Sequence, residues 1–71
     1  MDLEQARQLR VGQILHHTID KNKDGTPERW RVNGRIKTWK TRPDDIRIPL
    51  KRGLFDYGYL TDENMHLFVA A

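Results

Sequence analysis

The sequence predicts a small, mainly β domain: an SH3-like antiparallel barrel of five or six strands with a short N-terminal helix. Three observations predict it. Short runs of β-prone residues recur about every ten residues, punctuated by turn signals such as Asp24-Gly25, Asn33-Gly34 and Arg52-Gly53. The run Ile46–Lys51 alternates, with Ile46, Ile48 and Leu50 on one side and Arg47, Pro49 and Lys51 on the other. Finally, an opening of the form L-x-V-G-x-x-L at residues 9–15, together with a helical turn just before the last strand, suits an SH3-like barrel. An OB-like barrel is the alternative, but it usually takes more residues and a longer internal helix.

Residues 1–71 form one domain, with a helix over 1–10 and the barrel over 13–70. Asp2 can cap the helix, Glu4 suits its first turn, and Arg7 and Arg10 lie near its end. Val11-Gly12 breaks it. Gln13–Ile19 is the first strand, with Leu15, His17 and Ile19 opposite Ile14, His16 and Thr18. Asp20–Pro27 is a polar loop. The run Glu28–Arg42 follows as a hairpin turning at Asn33-Gly34, because a type I′ turn needs positive φ at both central residues. In that register Val32 faces Arg35, Arg31 faces Ile36, Trp30 faces Lys37 and Glu28 faces Trp39. Trp30, Val32 and Trp39 then share a buried face, and Arg29, Arg31, Ile36, Thr38 and Lys40 share the other.

Thr41–Asp45 is expected as a turn with Pro43 at its first central position. Pro49 cannot donate to a ladder, which places the Ile46–Lys51 strand at a sheet edge or ends it there. Leu54–Leu60 is a short strand or an irregular aromatic segment. Thr61 is expected to cap a helical turn over Asp62–Met65, and His66–Ala70 closes the barrel.

Composition narrows the function. The formal charge is +3, yet six basic residues (Arg29, Arg31, Arg35, Lys37, Lys40, Arg42) occupy a segment with no acid, while the rest of the chain holds seven basic and ten acidic residues. Such local asymmetry bears on partners rather than on fold. There is no cysteine, which fits a reducing, cytoplasmic setting and excludes a thiolate zinc site. No apolar run approaches the roughly 18 residues needed to cross a bilayer, so no membrane partner is expected.

The combination V-N-G-R-I-K-T-W-K, I-P-L-K-R-G-L and Y-G-Y-L-T-D-E-N resembles small, uncharacterised phage and prophage proteins with an SH3-like barrel, over most of residues 11–69. The resemblance implies no activity. It implies a phage or mobile-element accessory protein that binds a host or phage macromolecule.

Candidate chemistry is thin. Asp20-Lys21-Asn22-Lys23-Asp24-Gly25 opens like a calcium loop, but Arg31 stands where an EF-hand needs Glu, two lysines oppose a divalent ion, and these residues are ordinary turn formers. His16 and His17 point to opposite faces of a strand and cannot chelate one ion. Asp44-Asp45 and Asp62-Glu63 look like turn and helix-start carboxylates, and no nucleophile–base motif or phosphate loop is present. No enzyme activity, metal or cofactor is therefore expected. Phe55, Tyr57 and Tyr59 with Asp44, Asp45 and Asp56 could form a peptide groove, or fill a thin core instead. The leading expectation is a non-enzymatic module that binds DNA or RNA through Arg29, Arg31, Arg35, Lys37, Lys40 and Arg42, with Trp30 or Trp39 stacking if exposed. The alternative is a protein-interaction module, monomeric or weakly dimeric.

Overall fold

The computed structural model describes all 71 residues. Helix α1 (Leu3–Arg7) is followed by strands β1 (Ile14–Lys21), β2 (Pro27–Val32), β3 (Lys37–Trp39), β4 (Arg42–Arg52) and β5 (Asp56–Thr61), a 3₁₀ turn (Met65–Leu67) and β6 (Phe68–Ala70). All strand pairs are antiparallel, in the order β6-β1-β2-β4-β5, with β3 added beside β4. That order, with a 3₁₀ turn leading into a last strand that pairs with the first, is an SH3-like arrangement. β5 and β6 do not pair, so the sheet curls into a half-barrel.

The long β4 is the spine. Its Arg47–Arg52 half pairs with β5 along one edge. Along the other edge it pairs first with β3, Lys37 opposite Arg47, and then with β2, Val32 opposite Leu50. Pro49 stands where that second edge changes partner. Its carbonyl accepts from the Asn33 N–H at 2.8 Å, so the missing proline N–H faces the gap between β3 and β2. Pro49 therefore sits mid-strand without costing a ladder bond, and the edge position expected from sequence is not needed.

The Asn33-Gly34 hairpin does not form. Val32 pairs with Leu50 instead of Arg35, and only Gly12, Gly25 and Gly53 have positive φ. Gly34 serves close approach: a Cβ there would meet Pro49 Cγ at 3.0 Å. The chain crosses from β2 to β3 through residues 33–36, and Ile36 packs against the core rather than joining Arg29 and Arg31. Three smaller corrections follow. The helix is shorter than 1–10 because Gln8 closes it. Arg42–Asp45 belong to β4, leaving the turn at Lys40-Thr41. The helical turn begins at Met65, because the Asn64 side chain, accepting from the Thr61 N–H and donating to the Tyr59 carbonyl, organises the preceding loop.

The concave face holds the core: Ala6, Leu15, Val32, Ile46, Ile48, Leu50, Leu60 and Phe68. Trp30 packs against its border. Helix α1, closed by an Asp2–Gln5 capping box, lays fully buried Ala6 and half-buried Leu3 onto the same core. Because α1 is too short to stand alone, this burial is what holds it.

Candidate nucleic-acid interface

Alternation along each strand assigns the opposite, convex face. Residues directly opposite across a ladder point the same way. The pairings Ile14–Arg31, Arg31–Lys51 and Lys51–Tyr57 therefore form one row across β1, β2, β4 and β5. Arg29, opposite His16, stands two residues along β2 from that row. Tyr59 opposite Pro49, and Arg47 opposite both Lys37 and Thr61, continue the face along β4. Its side chains at Arg29, Arg31, Lys37, Arg47, Tyr57 and Tyr59 are exposed, and Lys51 is half-buried.

Two ladder positions on this face set cation against cation: Arg31 opposite Lys51, and Lys37 opposite Arg47. Like charges directly opposite are destabilising. No carboxylate lies within 4.0 Å of Arg29, Arg31, Lys37, Arg47 or Lys51. Aromatic rings take part of the charge instead. The Lys51 ammonium lies 5.3 Å from the Tyr57 ring centre, and the Arg47 guanidinium 5.3 Å from Tyr59 and 5.9 Å from Trp39. Acids gather only at the Arg47 end, where Asp45, Asp62 and Glu63 line a shallow depression.

The six cations expected from sequence thus divide. Arg29, Arg31 and Lys37 reach the convex face. Arg35 is exposed in the β2–β3 crossing and Lys40 in the following turn. Arg42 is committed elsewhere, ion-paired to Asp45 at 3.2 Å and lying over Trp39. Arg47, Lys51, Tyr57 and Tyr59, absent from the sequence-based set, complete the face. The outward side of the Ile46–Lys51 alternation was the signal that could have found the first two. The chain matches no protein-family model, no curated protein and no solved structure.

The indoles do not belong to this face as a pair. Trp30 lies on the concave side, donating to Glu28 and covered by the Arg52 guanidinium at 5.4 Å. Trp39 sits on β3 between Arg42 and Arg47. Arg52 bonds both Glu28 and Asp56, and its contact with Asp56 holds its guanidinium even more firmly protonated than usual.

A second polar cluster lines the concave mouth near Trp30 and Phe68. There the buried His17 Nδ1 accepts from the backbone N–H of Ile19 (3.1 Å) and Asp20 (2.8 Å), and Nε2 faces the Asp20 carboxylate at 3.6 Å. Acceptance at Nδ1 fixes the Nε2–H tautomer. No buried side-chain polar atom lacks a partner, so this cluster's bonds are spent holding the strand end. The loop that opens like a calcium site is closed on itself. Asp24 Oδ1 accepts from both the N–H and the hydroxyl of Thr26, which holds its carboxyl below the usual carboxylate range. No helix is long and apolar enough to cross a membrane.

Proposed function

We propose that this chain is a non-enzymatic binding module whose convex β2–β4–β5 face docks a nucleic acid. The observation that carries the reading is the two cross-strand like-charge pairs, Arg31–Lys51 and Lys37–Arg47, none of whose cations is ion-paired to a carboxylate. Such pairs cost stability in the free domain, and a polyanion lying across them turns the repulsion into attraction. Arg29 extends the cationic track, and exposed tyrosines beside it offer stacking surfaces. The cations come from three strands of one sheet rather than from a single ribbon.

The test is a fluorescence-anisotropy titration against single-stranded and duplex DNA and RNA at about 50 and 200 mM salt, a range over which phosphate-driven affinity falls steeply. Binding is expected to be strongly salt-dependent. R31Q and K51Q are each expected to flatten the log–log slope by about 0.7 to 0.9. Absence of salt-sensitive binding at micromolar protein would overturn the reading. The second reading, a protein-interaction module, is favoured by Leu54 and Phe55, 75% and 86% exposed side by side at the β4–β5 tip.

A further inference from the structure

We infer that the convex face takes an extended single strand, with Tyr57 and Tyr59 as platforms for successive bases; this rests on the nucleic-acid reading above. In a domain with so thin a core, both rings are left outside, 65% and 49% exposed. A structural ring on this sheet would be expected to gain burial, as Phe68 does at 5%. They occupy alternate positions of β5 and so share a face.

Their spacing decides between duplex and single strand. Two residues along a strand span about 6.6 to 6.8 Å. Successive nucleotides of one duplex strand rise only about 3.4 Å. Bases stacked on each other as in a duplex cannot therefore each cover one tyrosine, whereas unstacked bases of an extended strand can. In a duplex the base faces are also already covered by the neighbouring base pairs, whereas unstacked bases leave them free for an aromatic side chain.

The charges run beside the rings in the order such a strand requires. Lys51 is directly opposite Tyr57, and Arg31 is opposite Lys51 one strand further on. Adjacent strands lie about 4.8 Å apart, which puts ring, ammonium and guanidinium in a line reaching from base to phosphate. At the other ring Pro49 is opposite Tyr59, and Arg47 reaches diagonally onto it at 5.3 Å. Bases would thus lie over β5 while the sugar–phosphate backbone follows β4 and β2 past Arg47, Lys51, Arg31 and Arg29.

The experiment compares three probes on the full chain at one salt concentration. They are an oligothymidine of about ten nucleotides, within the usual single-strand site size, an abasic oligonucleotide of the same length and charge, and a duplex of that length. Oligothymidine is expected to bind tightest. Y57A and Y59A are each expected to weaken it about 5- to 140-fold, leave the abasic probe unchanged, and be rescued by Y57F and Y59F. Circular-dichroism melts check that the variants fold. If either alanine variant does not, the wild-type comparison of oligothymidine with abasic probe still decides. Equal affinity for those two probes, or tighter binding to duplex, would overturn the stacking inference while the nucleic-acid reading stands. Failure of all three probes to bind would remove both.

Discussion

Replacing Gly34 by Ala presses a methyl group against Pro49, and the arrangement of β4 fixes how the domain must respond. The new Cβ would lie 3.0 Å from Pro49 Cγ and 3.4 Å from its Cβ, where ordinary carbon contacts are about 3.5 to 4.0 Å. The proline ring has no rotamer into which to swing. Its backbone is held by the Asn33 N–H on one side and by pairing with Tyr59 in β5 on the other. Overpacking of this kind costs about 1–3 kcal/mol. Because φ at Gly34 is not positive, alanine brings no backbone strain, and it recovers about 0.4–1 kcal/mol by restricting the unfolded chain. The net loss lies between about 0 and 2.6 kcal/mol, with a fall in Tm of roughly 4–8 °C per kcal/mol for a domain this small. In a P49A background the 3.0 Å contact is gone and only the Cβ at 3.4 Å remains, so G34A should be neutral or slightly stabilising. Thermal melts of the four proteins by circular dichroism therefore yield a coupling of about 1 kcal/mol or more. Equal Tm losses from G34A in both backgrounds would refute the reasoning. They would point to a glycine needed for positive φ, as in a tight Asn-Gly hairpin.

Leu60 is fully buried between strands, and L60A should cost about 2–5 kcal/mol, enough to collapse amide dispersion in a ¹H–¹⁵N spectrum of so small a domain. H17F keeps a ring where His17 meets Phe68 edge-on at 5.0 Å but orphans the N–H groups of Ile19 and Asp20. It should lose about 1–3 kcal/mol in denaturant melts and speed hydrogen exchange at those two amides. At Asp24 the folded-state pKa is depressed, so its contribution is complete above the ordinary value of 3.8 and is lost as pH falls through the folded value. The stability difference between wild type and D24N should therefore shrink below that pH. A constant difference down to the end of the Asp24 titration, followed by its carboxyl chemical shift, would contradict the assignment.

Much of the barrel was legible because local chemistry and tertiary demand agree. Gly25 and Gly53 turn with positive φ where Asp24-Gly25 and Arg52-Gly53 mark turns, and the Ile46, Ile48, Leu50 alternation is the inner face of β4. The failure at Asn33-Gly34 has a specific cause. Turn propensity is local and weak, whereas pairing Val32 with Leu50 buries both side chains in the core. The expected hairpin register carried a warning, since it put Ile36 among the cations. In the folded chain Ile36 packs against the core, which the looser crossing over residues 33–36 permits. The candidate face was half-legible for a related reason. Charge is dense along one contiguous segment, but the face is assembled from residues about twenty positions apart, and Arg31 meets Lys51 only through the pairing of β2 with β4.

Pairing of β1 with β6 sets Leu15 opposite Ala70, so the first strand cannot complete its hydrogen bonding until residues 68–70 have been made. During synthesis the β3–β4 and β4–β5 hairpins, whose nearest pairs Trp39–Arg42 and Arg52–Asp56 are close in sequence, can assemble from local contacts. Leu15 and His17 meanwhile wait for Phe68 to clear the ribosome. Until then one edge of β1 stays unpaired, and an unpaired strand edge is a site at which a nascent chain aggregates.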